Sequence, residues 1–225
     1  MKKNKYDTVI LAAGVSKRFK HKKNKQFIKF NNKNIIDIVL KKFIKINEID
    51  KIHLVLPKKY IKEYAKKYKT LSIIAGGKSR AQSVYNALSF LHSINYNKSN
   101  ILIHDAARPC VDQSDIVKLI KIASKLSTGL SLGYPITNAL KLVKKDEVKY
   151  NIEKNNMWST FTPQIFNFYK LYNSYKYIIR NKINIDDDVE AMTINSHKIK
   201  ILISSPGNIK LTHKEDVSTI EKLLK

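Results

Sequence analysis

Residues 11–27 read LAAGVSKRFKHKKNKQF and follow directly on the apolar run at residues 8–10. That run predicts a buried strand that ends at small residues, where backbone amides can approach an anion. Hydrogen-bond donors and positive charge are then supplied by Ser16, Lys17, Arg18 and Lys25. The pattern is typical of a loop that cradles a triphosphate, although an ordinary strand-to-loop connection in a lysine-rich chain would look similar.

Further along the chain, apolar runs alternate with stretches of helical periodicity. Buried strands are expected at residues 51–56, 71–77 and 101–104, and amphipathic helices at residues 34–46 and 115–126. This rhythm predicts an α/β fold with a mostly parallel, doubly wound sheet. Ligands bind such sheets beyond the carboxyl ends of the strands. Gly14, Gly77 and Asp105 all lie in segments at the carboxyl ends of predicted strands.

Carboxylates occur at two positions where they could serve chemistry. Asp105 ends the fourth predicted strand, and residues 186–188 read DDD. Mg²⁺ commonly uses one or two carboxylates together with substrate phosphates, so Asp105 opposite a cationic cradle predicts magnesium-nucleotide chemistry. The acidic triplet could equally cap the helix that follows it. Cys110 has no histidine close by in the sequence and no GxSxG motif occurs, so a protein nucleophile is not indicated.

Residues 135–156 interrupt the alternation of strands and helices. Polar and apolar residues alternate around a polar turn near residues 145–147, which predicts a β-hairpin arm that protrudes from the single domain formed by residues 1–225. Such an arm has little of its own to bury, so we expect it to pair with a second copy in a homodimer. A turn is expected at the TPQ segment, residues 162–164.

The formal net charge is +25, and only four of the 43 cationic residues are arginines. The lysines are spread over the whole chain rather than gathered on one face or tail, so specific nucleic-acid binding is not expected. Three of the arginines lie in the segments that the motifs single out. Where lysine is the usual cation, a guanidinium indicates a need for planar, bidentate geometry.

The cysteine count and the length of the apolar runs indicate the cellular location of the protein. Cys110 is the single cysteine and no apolar run approaches a membrane span, so a reducing, cytoplasmic compartment without membrane attachment is expected. The apolar run near the start is too short for a signal peptide and leads directly into basic residues.

Six motifs follow one another along the chain: LAAGxSxRF with KQF, AGGxSRxxSV, HDAARP, TPQxF, an Asp pair and NIKLT. Together they resemble, over nearly the whole chain, the cytidylyltransferases that act on sugar-alcohol phosphates. The resemblance implies a Rossmann-like nucleotidyltransferase fold and a homodimer interlocked by the β-arm. It also implies Mg²⁺-dependent condensation of CTP with 2-C-methyl-D-erythritol 4-phosphate, which releases pyrophosphate.

The resemblance also assigns roles by position. Residues expected to bind the nucleotide are Ala12, Ala13, Gly14, Gly77, Ser83, Asp105 and Arg108. Arg18, Lys25 and Lys210 are expected to be catalytic, and Asp105 to hold the metal. Residues expected to bind the acceptor are Asp105, Lys154, Thr162, Asp186 and Lys210.

Four positions depart from the family pattern, namely Asn24, Ala139, Lys154 and Asp186. Three of them lie on the acceptor side, and Lys154 replaces an arginine, which keeps the charge but loses the planar fork. An alternative acceptor is therefore ribitol 5-phosphate. An alternative from another class is a basic nucleic-acid-binding module in which the nucleotide motifs are vestigial.

Overall fold

The computed structural model describes residues 5–14, 19, 25–30 and 32–225. Its strands are β1 (Tyr6–Leu11), β2 (Lys29–Phe30), β3 (Lys33–Asn34), β4 (Ile49–Leu56), β5 (Ser72–Ala75), β6 (Asn100–Asp105), β7 (Gly129–Pro135), β8 (Leu140–Lys144), β9 (Glu147–Ile152), β10 (Trp158–Asn167) and β11 (Ile199–Ile203). Its α-helices are α1 (Ile35–Ile44), α2 (Ile61–Lys67), α3 (Arg80–Ser93), α4 (Gln113–Ala123), α5 (Phe168–Arg180), α6 (Asp188–Ile194) and α7 (Asp216–Leu223).

Seven strands form the central sheet in the order β11-β7-β10-β6-β1-β4-β5. Four of its pairings are parallel, and only β10 runs antiparallel to its two neighbours. Helices α1, α2 and α4 pack on one face, while α3, α5 and α6 pack on the other. The predicted mostly parallel, doubly wound sheet is therefore confirmed.

Each face of the sheet has its own core because the central strands are apolar on both sides. Val9 and Ile10 are neighbours in β1, both fully buried, and they belong to opposite cores. A third, smaller core joins Phe19 and Phe30 to Leu211 and Ile220 in the C-terminal region. The third core packs Phe19 and Phe30 against Ile220 of α7.

The TPQ segment was predicted to form a turn, and the structure shows that this is wrong. Residues 162–164 lie inside β10, where the register shifts between Phe161 and Gln164. A proline cannot donate to a sheet ladder, and an irregularity of this kind accommodates it without ending the strand.

Strands β8 and β9 pair only with each other, as an antiparallel hairpin between β7 and β10. Nearly every residue of the hairpin is exposed in the single chain. Within the described residues, no helix is both long and apolar enough to cross a membrane.

Candidate active site

A cavity of about 370 Å³ opens at the carboxyl ends of β1, β5 and β6. These parallel strands bring their ends to the same edge of the sheet, so segments far apart in sequence meet there. The lining residues include Ala12, Ala13, Gly14, Lys25, Gly77, Lys78, Arg80, Ser83, Asp105, Asp186 and Lys210.

Gln26 fixes the position of Lys25 beside the end of β1. Its side-chain amide donates to the carbonyl oxygens of Ala12 at 2.6 Å and Gly14 at 3.1 Å. The Gln26 side chain is buried, and the short 3-10 turn Lys25–Phe27 carries it. These two hydrogen bonds tie the turn to the loop after β1, and Lys25 in the same turn lines the cavity.

The glycine pair after β5 lets two backbone segments approach closely. A Cβ atom on Gly76 would lie 2.1 Å from the Cβ atom of Ala13, and one on Gly77 would lie 2.2 Å from Cγ of Gln82. The Ser83 hydroxyl accepts from the Gly77 amide at 3.0 Å and donates to the Ser79 carbonyl at 2.8 Å. Ser83 therefore fixes the loop at the start of α3.

Asp105 occupies the centre of the site between two cations. Its Oδ1 accepts from Arg80 Nε at 3.1 Å, and its Oδ2 accepts from Lys210 Nζ at 2.6 Å. Burial alone would raise the pKa of the Asp105 carboxyl, but the charges of Arg80 and Lys210 outweigh it and hold that pKa well below its usual range. Asp105 is therefore an anion at any physiological pH.

Arg80 is itself held from behind by a buried carboxylate. Asp188 is fully buried and accepts from both terminal nitrogens of Arg80, at 3.1 and 2.6 Å. The Tyr175 hydroxyl donates to the same Asp188 carboxylate. Arg80 thus links Asp188 in α6 to Asp105 at the end of β6, across 108 and 25 residues of sequence.

A second cavity of about 290 Å³ adjoins the first. It is lined by Arg108, Thr160, Phe161, Thr162, Gln164 and Asp187, and it shares Arg80, Asp105, Asp186 and Lys210 with the first cavity. The shared residues mark a junction where groups bound in the two chambers can meet.

Thr162 connects the walls of the second chamber. Its hydroxyl accepts from the Asp105 amide at 3.0 Å, and its carbonyl accepts from the Asn208 side chain at 2.9 Å. The Asn208 carbonyl in turn accepts from Arg108 Nη1 at 2.7 Å. The Arg108 guanidinium also lies over the Phe161 ring, 5.4 Å from its centroid, and burial lowers its pKa.

The predicted site residues fall into three groups. Most of them line one chamber or both, including every predicted nucleotide-binding residue. Lys154 lies apart, in the segment after β9, where its ammonium donates to the Thr137 carbonyl. Arg18 and the departure at Asn24 lie outside the described residues.

In the acidic triplet, the expectation of a helix cap is correct for Asp187. Its Oδ1 accepts from the Glu190 amide at 2.8 Å at the start of α6. Its Oδ2 also accepts from Thr160 Oγ1 at 2.9 Å, in the wall of the second chamber.

Sequence reasoning assigned no site role to Gln26, Arg80 or Tyr175, and it treated Asp188 only as part of the acidic triplet, either as a carboxylate for chemistry or as a helix cap. The KQF and SR motifs contained the first two, and retention of arginine in a lysine-rich chain was a usable signal for Arg80. Nothing in the sequence paired Asp188 with Tyr175, because that contact depends on how α5 packs against α6.

The site can accept a magnesium ion beside bound phosphates but has no complete cage of protein ligands. Within the described ranges, no three His, Cys, Asp or Glu side chains come together as a metal site. Each Asp105 oxygen has a second lone pair beyond its present bond. One carboxylate supplemented by substrate phosphates is a common arrangement for Mg²⁺.

A doubly wound sheet with an anionic centre and a cationic cradle at its carboxyl edge defines a Rossmann-like nucleotidyltransferase. The family model described as 2-C-methyl-D-erythritol 4-phosphate cytidylyltransferase matches residues 7–225. The chain belongs to this family, whose members act in the non-mevalonate pathway of isoprenoid biosynthesis.

Individual relatives agree over nearly the whole chain. The 2-C-methyl-D-erythritol 4-phosphate cytidylyltransferase of Wigglesworthia glossinidia brevipalpis is 34% identical, over 92% of this chain and 90% of that protein. The enzyme of the same name from Clostridioides difficile is 33% identical, over 97% and 93%. The crystal structure of the Francisella tularensis enzyme superposes with a TM-score of 0.82 at 28% identity, covering 97% of this chain and 99% of that one.

Proposed function

We propose that the two chambers bind CTP and 2-C-methyl-D-erythritol 4-phosphate, and that the reaction takes place at their junction. A phosphate oxygen of the acceptor attacks the α-phosphorus of CTP and forms a new P–O bond. The bond between the α-phosphorus and the bridging oxygen breaks, and pyrophosphate leaves with that electron pair. The products are 4-diphosphocytidyl-2-C-methyl-D-erythritol and pyrophosphate.

The observation that carries this proposal is the set of residues common to both chambers. Arg80, Asp105 and Lys210 all line each cavity. A transfer between two phosphorylated substrates needs no protein nucleophile, because the acceptor itself attacks and the protein supplies position and positive charge. Cys110, the one thiol, lines neither chamber.

Lys25 and Lys210 both line the first chamber and would supply that charge. Lys25 lies beside the cradle of Ala12–Gly14 and would contact the triphosphate, a role that the family resemblance also gives to Arg18. Lys210 lies where the chambers join and would draw in the acceptor phosphate. Charge that develops on the phosphoryl oxygens in the transition state would be stabilised by these cations.

Asp105 would hold Mg²⁺ together with the phosphates of CTP. The metal, when bound, neutralises phosphate charge and orients the triphosphate. The second Asp105 oxygen accepts from Lys210 in the structure, so Asp105 would also hold the Lys210 ammonium where the two chambers join. Chelation should abolish turnover and added Mg²⁺ should restore it.

The test is pyrophosphate release by the purified protein with CTP and Mg²⁺, with either methylerythritol phosphate or ribitol 5-phosphate as acceptor. Release with the first acceptor supports the assignment and shows that Ala139, Lys154 and Asp186 are tolerated. Release only with ribitol 5-phosphate would move the protein to another acceptor. Release with neither would contradict the proposal. We expect Asp105→Asn to be inactive, and Asp50→Asn, which removes a carboxylate outside both chambers, is its matched control.

The arm, residues 135–156, would pair with a second copy of the chain through its hairpin at residues 140–152. The hairpin exposes Leu142, Val143, Val148 and Tyr150, each at least 40% accessible in the single chain. An isolated two-stranded hairpin is marginally stable in water, so a partner surface would stabilise it. Lys154 follows the hairpin within the arm, and the family resemblance would place it at the acceptor of the partner subunit.

Sedimentation velocity tests the homodimer. The double variant Val143→Asp/Val148→Asp should sediment as a monomer, whereas Ile94→Asp, which changes an equally exposed apolar residue elsewhere, should not. A monomeric wild-type protein would refute the pairing.

A single half-buried cysteine with no disulfide partner fits a reducing compartment, which supports a cytoplasmic location.

A further inference from the structure

A third cavity of about 320 Å³ lies between α1 and the C-terminal end of α7, apart from the two chambers. Its volume falls at the lower end of the range for small-ligand pockets, about 300–1,000 Å³. Apolar side chains contribute to its wall, namely Phe30, Ile38, Leu223 and Leu224. We refer to it as the lysine-rimmed cavity.

Five lysines line it beside its apolar wall: Lys33, Lys41, Lys42, Lys45 and Lys225. No aspartate or glutamate is among the described residues that line it. Within the described part of the chain, Lys33, Lys41 and Lys45 take part in no ion pair. The Lys42 ammonium donates to the Val111 carbonyl at 2.8 Å and is attracted by Asp112, which does not line the cavity. Clustered cations repel one another, and an anion bound among them would relieve that repulsion.

An ordinary solvated helix face also exposes lysines, but it has no apolar hollow between them. Here Phe30 is buried while Leu223 is 49% exposed, so the wall passes from the core to an apolar surface that water now covers. An inorganic anion would use the charges and leave this surface wet. A ligand that satisfies both features carries a negative head group and an apolar chain.

We propose that the lysine-rimmed cavity binds a phosphorylated small molecule with an apolar chain. Phe30 in its wall and Phe19 in the wall of the nucleotide chamber belong to the same buried core. A ligand in the lysine-rimmed cavity would therefore contact the same buried core as Phe19. It would touch no residue that is assigned to the reaction.

Isothermal titration calorimetry with octyl phosphate, below its micellar concentration and with CTP present at saturation, tests this site. Inorganic phosphate supplies the charge alone, and octyl glucoside supplies the chain alone. We expect saturable binding of octyl phosphate and at least tenfold weaker binding of both controls. Equal binding of inorganic phosphate, or no saturable binding of octyl phosphate, would overturn the proposal.

Two double variants separate the site from the overall charge of the protein. Lys41→Gln/Lys45→Gln removes two rim charges and should weaken octyl phosphate binding at least tenfold. Lys62→Gln/Lys66→Gln removes the same charge from the exposed side of α2 and should leave it unchanged. Equal losses in both would show that the ligand responds only to net charge. Leu223→Ser should weaken the binding of octyl phosphate, and circular dichroism should show that the fold of the protein is unchanged.

Discussion

Removal of the buried carboxylate behind Arg80 should destabilise the whole protein. Asp188→Ala leaves the Arg80 guanidinium without its two hydrogen bonds to Asp188 and leaves the buried Tyr175 hydroxyl without an acceptor. The breaking of a buried ion pair from one side costs about 3–5 kcal/mol. An unsatisfied buried hydroxyl costs roughly 1–3 kcal/mol more.

The lower ends of these ranges apply here. The Arg80 side chain is 24% exposed and keeps its bond to Asp105, so part of its charge remains compensated. We therefore expect a loss of about 4 kcal/mol in the free energy of unfolding. For a chain of 225 residues this corresponds to a fall in Tm of roughly 8–16 °C.

Urea denaturation followed by fluorescence of Trp158, the single tryptophan, measures the effect. Tyr175→Phe should lose about 1.5–3 kcal/mol, since it removes one hydrogen bond to a charged acceptor. Glu147→Ala breaks an ion pair on the exposed arm and should change stability by less than about 0.5 kcal/mol. A loss below about 1.5 kcal/mol for Asp188→Ala would refute the reasoning, because desolvation would then have cancelled the pair.

Three further outcomes are expected. Lys25→Ala should lower turnover by about 100-fold or more because it removes charge stabilisation from the transition state. The control Lys29→Ala, which changes an exposed lysine in β2, should not lower turnover. Near-normal turnover of Lys25→Ala would contradict the assignment. Burial lowers the pKa of His104 to about 3, so only the unfolded chain takes up its proton between pH 6.5 and 3, and stability should fall by roughly 2 kcal/mol from pH 7 to pH 5. In urea titrations at both pH values His104→Gln should remove that loss, and an unchanged pH slope would disprove it. Gly76→Ala should raise the KM for CTP and cost about 1–3 kcal/mol, since its Cβ would collide with Ala13; an unaltered KM would show that the loop yields.

Local patterns in the chain determined the layered fold and the positions of the binding segments. The apolar run before Ala12 forms a strand that is buried on both faces, because the central strand of a parallel sheet needs apolar side chains on each side. The glycine pair after β5 and Asp105 after β6 then had to lie at one edge, since parallel strands end together. These conclusions needed only hydrophobic periodicity and the close approach that glycine permits because it has no side chain.

Tertiary packing decided the rest. Residues 162–164 read locally as a turn, yet β10 continues through them because it pairs with both β6 and β7. Asp188 meets Arg80 only after α5 packs beside both α3 and α6, and no local preference encodes a contact across 108 residues. The junction of the two chambers arises in the same way, because long-range packing places Lys210 against Asp105.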